Sequence, residues 1–334
     1  MEKSPSLPLV RRIFADYCCR HGLSLICDEG SGQAGYIELA DGRRRFFRGT
    51  HFDLNPLGAA EIADDKAYTL SFLKQDGFTV PDSILVHGSD VLASLRVHKP
   101  GIAAKMHSAE DALQFAETVG YPVFAKPNIG QEGEDVVRLD KQADLQHALT
   151  DLLMRHSSLL VQKAVEGADL RILILDGNVL LALDRQPVQV TGDGERTVEQ
   201  LAIGVAGLNL RDLRIAPELT RQGLGLASIP EKGQTVELLP NKNLSAGAKA
   251  RDITNNVADD LKETAVSMCE NLGLRYAGID LIAETPQKSG SRYAVLEVNA
   301  APGLNRYAAQ GAEELASVTS VYERVLDALT GKSP

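Results

Sequence analysis

The stretch 276–305, YAGIDLIAETPQKSGSRYAVLEVNAAPGLN, limits what this chain can fold into more than any other. It runs apolar, polar, apolar, and then enters Ala301-Pro302-Gly303. Ile279, Leu281 and Ala283 alternate with Gly278, Asp280 and Ile282, the period of two that a strand requires. In the second run Ala294, Leu296 and Val298 fall on one face and Val295, Glu297 and Asn299 on the other. The intervening 284–292 holds Pro, Ser and Gly, so the two runs are expected to pair as an antiparallel hairpin. Such pairing sets Asp280 beside Glu297 and Asn299. Two carboxylates and an amide oxygen in otherwise apolar strands make a hard-oxygen donor set suited to Mg²⁺. A single acid in a strand is more often an edge charge facing water. Three oxygen-bearing side chains on two adjacent strands, followed by a Pro-Gly turn, favour the metal reading.

The chain has 334 residues, 44% of them hydrophobic, enough for a large core divided into two or three units. Its net charge of −10, with no basic block beyond Arg43-Arg44-Arg45, argues against nucleic acid as the main partner. An acidic chain that binds a phosphate-bearing ligand must supply its cations locally, so individual Lys and Arg residues matter. No apolar run approaches the ~18–20 residues that span a bilayer, and the N-terminus has no signal-peptide core, so no membrane partner is expected. Cys18, Cys19, Cys27 and Cys269 lack paired metal spacing and read as reduced thiols of a cytoplasmic protein. The seven His residues are scattered and suggest no site.

Residues 1–62 read as a small leading domain without an assigned role: a helix over Leu9–Arg20, a strand at Tyr36–Leu39, and a second run from Arg45 completing a hairpin. Arg43, Arg44, Arg45 and Arg48 are placed to meet an anionic substrate, although a solvated strand face is the simpler account. A helix opens at Asp64 with acids in its first turn and Gly77 beyond its end. Another begins at Ser108 with a capping-box pattern. The strand Val123–Lys126 leads into a loop containing Gly130 and Gly133, whose backbone N–H groups are free to turn towards an anion, with Lys126 as a point charge. On its own that is a weak signal, and it is not a Walker A sequence. Strands follow at 159–163 and at 172–183, the latter interrupted by Asp176-Gly177. A helix from Asn256 to Leu272 and a final packing helix near Ala308–Leu329 complete the pattern.

The order G-I-D (278–280), L-E-V-N (296–299) and P-G (302–303) resembles the metal end of the ATP-grasp ligases. Asp65-Lys66-Ala67-Tyr68-Thr69, the run from Arg185-Gln186-Pro187 to Gly192-Asp193-Gly194, and Asn243-Leu244-Ser245-Ala246-Gly247 extend the resemblance over about residues 63–305. Within that superfamily the chain is most similar to the ATP-grasp part of cyanophycin synthetase, and next to glutathione synthetases and D-alanine–D-alanine ligase. The resemblance implies an α+β ATP-grasp fold: a leading domain 1–62, a mobile lid subdomain 63–160 and a larger antiparallel-sheet subdomain 161–330, with ATP between the last two. No Mur-ligase-like half accompanies it in this sequence, so a stand-alone ligase is expected.

By the same resemblance Asp280, Glu297 and Asn299 are the ligands of two Mg²⁺ ions, with Mn²⁺ as a stand-in. Lys66, Lys126, Gly130 and Gly133 meet the ATP phosphates. Gln162, Lys163 and Val165 line adenine, and Asp169 accepts from the ribose hydroxyls. Arg185, Asn243 and Ser245 carry the chemistry at the acyl group, with Arg251 as an extra cation. The implied activity joins a small-molecule acid, activated as an acyl phosphate, to an amine in an amide bond. A homodimer is left open. This chain departs from the pattern at Glu134 and Asp135, where relatives carry Arg and Gly, and at Ala246 and Ala248. Two other readings share the fold: a phosphotransferase that stops at phosphorylation, and a non-catalytic nucleotide-binding regulatory protein.

Overall fold

Alternating apolar residues build three main sheets in the computed structural model, which describes residues 7–130, 133–240, 242 and 244–332. In the leading segment the helix Leu9–His21 buries Val10, Ile13, Phe14, Tyr17 and Cys18, a single helical stripe, and ends on left-handed Gly22. It lies on an antiparallel sheet of β1 (Ser24–Cys27), β2 (Ala34–Glu38), β3 (Arg44–Arg48) and β4 (His51–Phe52). The ring of Phe14 stands 4.9 Å from Phe47 and 5.6 Å from Phe52. This interior is not the segment's own. It continues into Leu173, Leu181 and Leu183 of the central sheet and into Val318, Tyr322 and Val325 of the C-terminal helix Ala312–Thr330. Of the segment 1–62, expected as a separate domain, the described residues pack as a layer on the larger one.

The second sheet has the order β5-β8-β6-β7, all antiparallel, from β5 (Ser83–His87), β6 (Val123–Pro127), β7 (Val137–Leu139) and β8 (Ser158–Lys163). The helices Ala109–Val119 and Gln142–Arg155 cover it through Ala112, Ala116, Leu145 and Leu149. Ser108 and Asp111 close the expected capping box. The helix expected from Asp64 begins two residues later, at Lys66. Asp64 ends the helix Leu57–Asp64, and Asp65 is the cap of Lys66–Gln75, accepting from Tyr68 N–H at 2.9 Å, so no acid lies in that first turn.

The third sheet comprises β9 (Ala168–Leu175), β10 (Asn178–Gln186), β13 (Lys249–Asp252), β14 (Tyr276–Ala283) and β15 (Tyr293–Asn299), in the order β13-β10-β9-β14-β15. A short ladder of β11 (Gln189–Thr191) and β12 (Thr235–Glu237) stands apart, packed with the helices Val198–Ala202 and Ile215–Arg221 around its own small core. Asp176 (φ 47°) and Gly177 (φ 74°) form the tight turn joining β9 to β10, the left-handed pair such a hairpin selects. Every residue of β14 is buried, as expected of a strand paired on both sides and covered on both faces.

One face of this sheet, with Ile172, Ile279 and Leu281, packs on Leu261, Ala265 and Met268 of the helix Asp259–Asn271. The other changes character along its length: Leu173, Leu175 and Tyr276 meet the leading layer, whereas Asp169, Arg171 and Asp280 are charged. The hairpin β14–β15 forms as expected, with one difference. Asp280 pairs with Glu297, but Leu281 pairs with Val295, so Leu296 is an extra residue in a β-bulge. Val295 consequently packs in the core with Leu281 and does not share the face of Glu297.

Candidate active site

Register alone brings the charged side chains together. Across four neighbouring strands Arg185 stands opposite Asp169, Arg171 opposite Asp280, Asp280 opposite Glu297, and Gly278 opposite Asn299. The Asp280 carboxylate is 1% exposed and is gripped bidentately by Arg171, Nε to Oδ1 and Nη2 to Oδ2, both at 2.7 Å. Arg185 Nη1 adds a third bond to Oδ2 at 3.1 Å. Burial pushes the Asp280 pKa up, but the two guanidinium groups outweigh it and hold the carboxyl well below the usual range. Arg185 also donates through Nε and Nη2 to Asp169 Oδ1, at 2.9 and 2.6 Å. Burial disfavours its charge, and the two aspartates more than restore it.

Glu297 lies at the open end of this row, with Asn299 Nδ2 at 3.5 Å from Oε1 and Lys66 Nζ at 3.4 Å from Oε2. Lys66, the first residue of its helix, is only 7% exposed and also donates to the Gly130 carbonyl at 3.1 Å. Asn128 holds this junction: Oδ1 accepts from Ala67 N–H at 2.9 Å and Nδ2 donates to Asp65 at 2.8 Å. Lys126 is buried with its ammonium on Gln162 Oε1 at 2.9 Å and on the Leu296 carbonyl at 3.5 Å, an oxygen at the bulge. Burial pushes its pKa down to about 8; Glu297 and Asp280 pull it up and Lys66 pulls it down. Four cations thus face three carboxylates, a balance that leaves the spot receptive to added negative charge.

The donor chemistry suits Mg²⁺. All three expected ligands carry hard oxygens on one face of two paired strands; Glu297 is partly open, while both Asp280 oxygens are engaged by Arg171 and Arg185. No group of three or more His, Cys, Asp or Glu side chains that could hold a metal is found among the described residues.

The other expected residues divide. Gln162 is 3% exposed, and its Nε2 is buried without a hydrogen-bond partner among the described residues. The Lys163 ammonium caps the helix Ala109–Val119, on the carbonyls of Val119 at 2.7 Å and Gly120 at 2.8 Å. Val165 is 36% exposed; with Lys163 it lines a cleft of about 600 Å³ between Thr79–Asp82, the helix Asp259–Asn271 and the β14–β15 turn. That cleft touches none of Asp280, Glu297, Lys66 or Lys126, so it is separate from the charged row. Asp169, expected at ribose hydroxyls, is held by Arg185.

Gly133 adopts φ 64°, and its carbonyl accepts from Arg214 at 3.4 Å. Asn243 lies outside the described residues, as does the side chain of Ser245, whose backbone sits in the 3₁₀ turn Leu244–Ala246. Gly247 at φ 97° must be glycine, because a Cβ there would come within 2.8 Å of the Ala206 carbonyl. Arg251 Nη2 pairs with Asp184 at 3.0 Å. The awkward acids after the lid glycines do not crowd the site. Glu134 is exposed, and Asp135, at φ 56°, turns back to Arg155 and His156, both at 2.6 Å.

Arg171 and Asn128 escaped the sequence reading. The signal for Arg171 was present: Asp169 and Arg171 are two apart in a strand whose next four residues are all apolar. Nothing local marks Asn128.

Comparison with known proteins agrees with this architecture. A family profile described as RimK-like ATP-grasp domain matches residues 63–195 and 234–318. The chain is similar to the glutathione biosynthesis bifunctional protein GshAB of Enterococcus faecalis, 29% identical over 275 residues that cover 75% of this chain and 34% of that protein. It is also similar to the cyanophycin synthetase of Geminocystis herdmanii, 27% identical over 267 residues, 75% of this chain and 28% of that one. It therefore spans about a third of the length of these curated relatives. Among solved structures, a bifunctional glutathione synthetase from Pasteurella multocida superposes with a TM-score of 0.56 at 21% identity, covering 91% of this chain and 41% of that one. A D-alanine–D-alanine ligase from Bacillus anthracis gives 0.50 at 16%, covering 84% and 69%. These likenesses establish the α+β ATP-grasp fold.

Proposed function

Because the chain belongs to the RimK-like ATP-grasp family, we propose that it is an ATP-dependent ligase joining a carboxylate to an amine, with amino acids or a small peptide as substrates. The observation that carries this reading is the row of Lys66, Lys126, Arg171 and Arg185 against Asp169, Asp280 and Glu297. A carboxylate meeting a triphosphate brings like charges together, and fixed cations lower that barrier. Asp280, Glu297 and Asn299 would hold Mg²⁺, which when bound screens charge on the terminal phosphates. Lys66 and Lys126 are the fixed cations beside it, while Arg171 and Arg185 keep Asp280 ionised and oriented.

An oxygen of the acid bonds to the γ-phosphorus and ADP leaves with the electrons of the broken P–O bond. The amine then attacks the acyl carbon, phosphate departs with the C–O electrons, and the amine proton passes to solvent. No enzyme nucleophile is needed. The four cysteines are free thiols, which fits a reducing compartment such as the cytoplasm.

The test is ADP release measured over acids and amines, singly and in pairs, with product masses. Release that requires both partners, with an amide product, is the expected result; release with an acid alone would instead identify a phosphotransferase.

Lys126 gives the reading a pH signature. Its ammonium is charged below about 8, and an incoming phosphate raises that pKa towards the ordinary lysine value of ~10.4, so ATP binding takes up a proton in this interval. ATP affinity is expected to be flat below pH 8 and to weaken up to about tenfold per pH unit above it. Lys126→Arg should remove the break, as titration of bound nucleotide at several pH values would show. The same group makes the ligand-free fold more stable as pH rises from about 8, because the unfolded lysine still binds its proton there.

A further inference from the structure

The backbone that follows Asn299 is held from the leading layer. Asn55 Oδ1 accepts from the N–H groups of Arg275 and Tyr276, both at 2.9 Å. Its Nδ2 donates to the Tyr276 carbonyl at 2.7 Å and to the Ala300 carbonyl at 3.0 Å. Both donors and both lone pairs of one amide are thus used, and they tie the entry of β14 to the exit of β15. The Thr50 hydroxyl donates to the next carbonyl, Ala301, at 2.8 Å. Opposite Asn299, Gly278 leaves room for this loop: a Cβ there would lie 2.9 Å from Pro302 Cβ. Phe52, with its ring 5.7 Å from that of Tyr276, anchors the layer beside the clamp. Residues 50 and 55 both precede the segment that matches the family, 63–195 and 234–318.

We propose that Asn55, assisted by Thr50, is a positioning residue that fixes Asn299 relative to Asp280, and that the leading layer serves to brace the metal-binding hairpin. The inference rests on the ligase reading. The register pairs Asp280 with Glu297 but leaves the last residue of β15 at a strand end, where it would fray. Two side-chain bonds to consecutive carbonyls beyond it remove that freedom, the way outer partners orient metal ligands generally.

The discriminating variant is Asn55→Asp, which keeps the acceptor for Arg275 and Tyr276 but loses both donor bonds, to the Tyr276 and Ala300 carbonyls. Mn²⁺ binding to the full chain with ADP, read by electron paramagnetic resonance, is expected to weaken about 10-fold. ADP affinity without metal should stay within about twofold, and turnover should recover at high Mg²⁺. Thr50→Val, close in shape, should weaken Mn²⁺ about threefold and carries the test if Asn55→Asp does not fold. Unchanged Mn²⁺ affinity in these variants overturns the inference, as does an equal loss of metal-free ADP affinity, which would mean general loosening. A wild-type protein that turns over normally while the variants match it refutes only the brace. A wild-type protein that binds neither Mn²⁺ nor ADP refutes the ligase reading, and the brace with it.

Discussion

Replacing Glu297 by Gln is expected to lower ADP release on the order of 10³-fold while leaving the fold and metal-free nucleotide binding intact. The side chain is about a quarter exposed, and its one ion-pair partner among the described residues, Lys66, is 3.4 Å away, so losing that pair costs little stability. The amide has the same shape. What disappears is a full negative charge at the open end of the row, where the cation has to be held against Arg171, Arg185 and Lys66. Without it those three repel a divalent ion. Lys66 also loses the partner that aims it, while keeping its bond to the Gly130 carbonyl. A coupled assay for ADP, beside a metal-free nucleotide titration, reads both halves. Retention of more than about a tenth of wild-type turnover would remove Glu297 from the chemistry.

Arg171→Met should be the most destabilising single change near the site, by about 3–5 kcal/mol. It leaves Asp280, 1% exposed, with only the 3.1 Å bond from Arg185, itself committed to Asp169. The buried carboxylate then lacks two of its three charge-assisted bonds in the middle of a strand where every residue is buried. Adding Asp280→Asn removes the stranded charge and should recover a large part of the loss, because an unpaired charge costs more than a missing pair. Urea unfolding of both single variants and the double variant closes the cycle. A loss below about 1 kcal/mol for Arg171→Met would show that Arg185 and solvent suffice.

The strands of the site were legible because period two survives in their residues. Ile279, Leu281 and Ala283 declare β14 without help from the rest of the chain. The bulge at Leu296 was not, since two residues facing one depends on what β14 offers across the ladder and leaves no trace in Leu-Glu-Val-Asn. Arg171 was hidden for a related reason. A charge in a strand becomes a partner only when register sets it opposite Asp280, and register is tertiary information. Lys66 and Gln162 could be singled out only through family resemblance, because a helix-start lysine and a strand glutamine look like surface residues until tertiary packing buries them. In the leading segment the elements were readable and their packing was not. Phe14, Phe47 and Phe52 had to be buried, and nothing in them says that the far side of that interior is Leu173 and Tyr322. Asp135 reads as a misplaced acid beside the lid glycines, but its left-handed backbone and its pairing with Arg155 and His156 turn it away.

That joint interior separates two boundaries often assumed to coincide. The stretch matched by the family profile starts at residue 63, whereas the apolar seam joining the first helix, the middle of the central sheet and the last helix runs straight through that border. The portion matched by the profile is smaller than the portion that packs as one, and a cut at residue 63 would bare the flank of the central sheet beneath Leu173, Leu181 and Leu183.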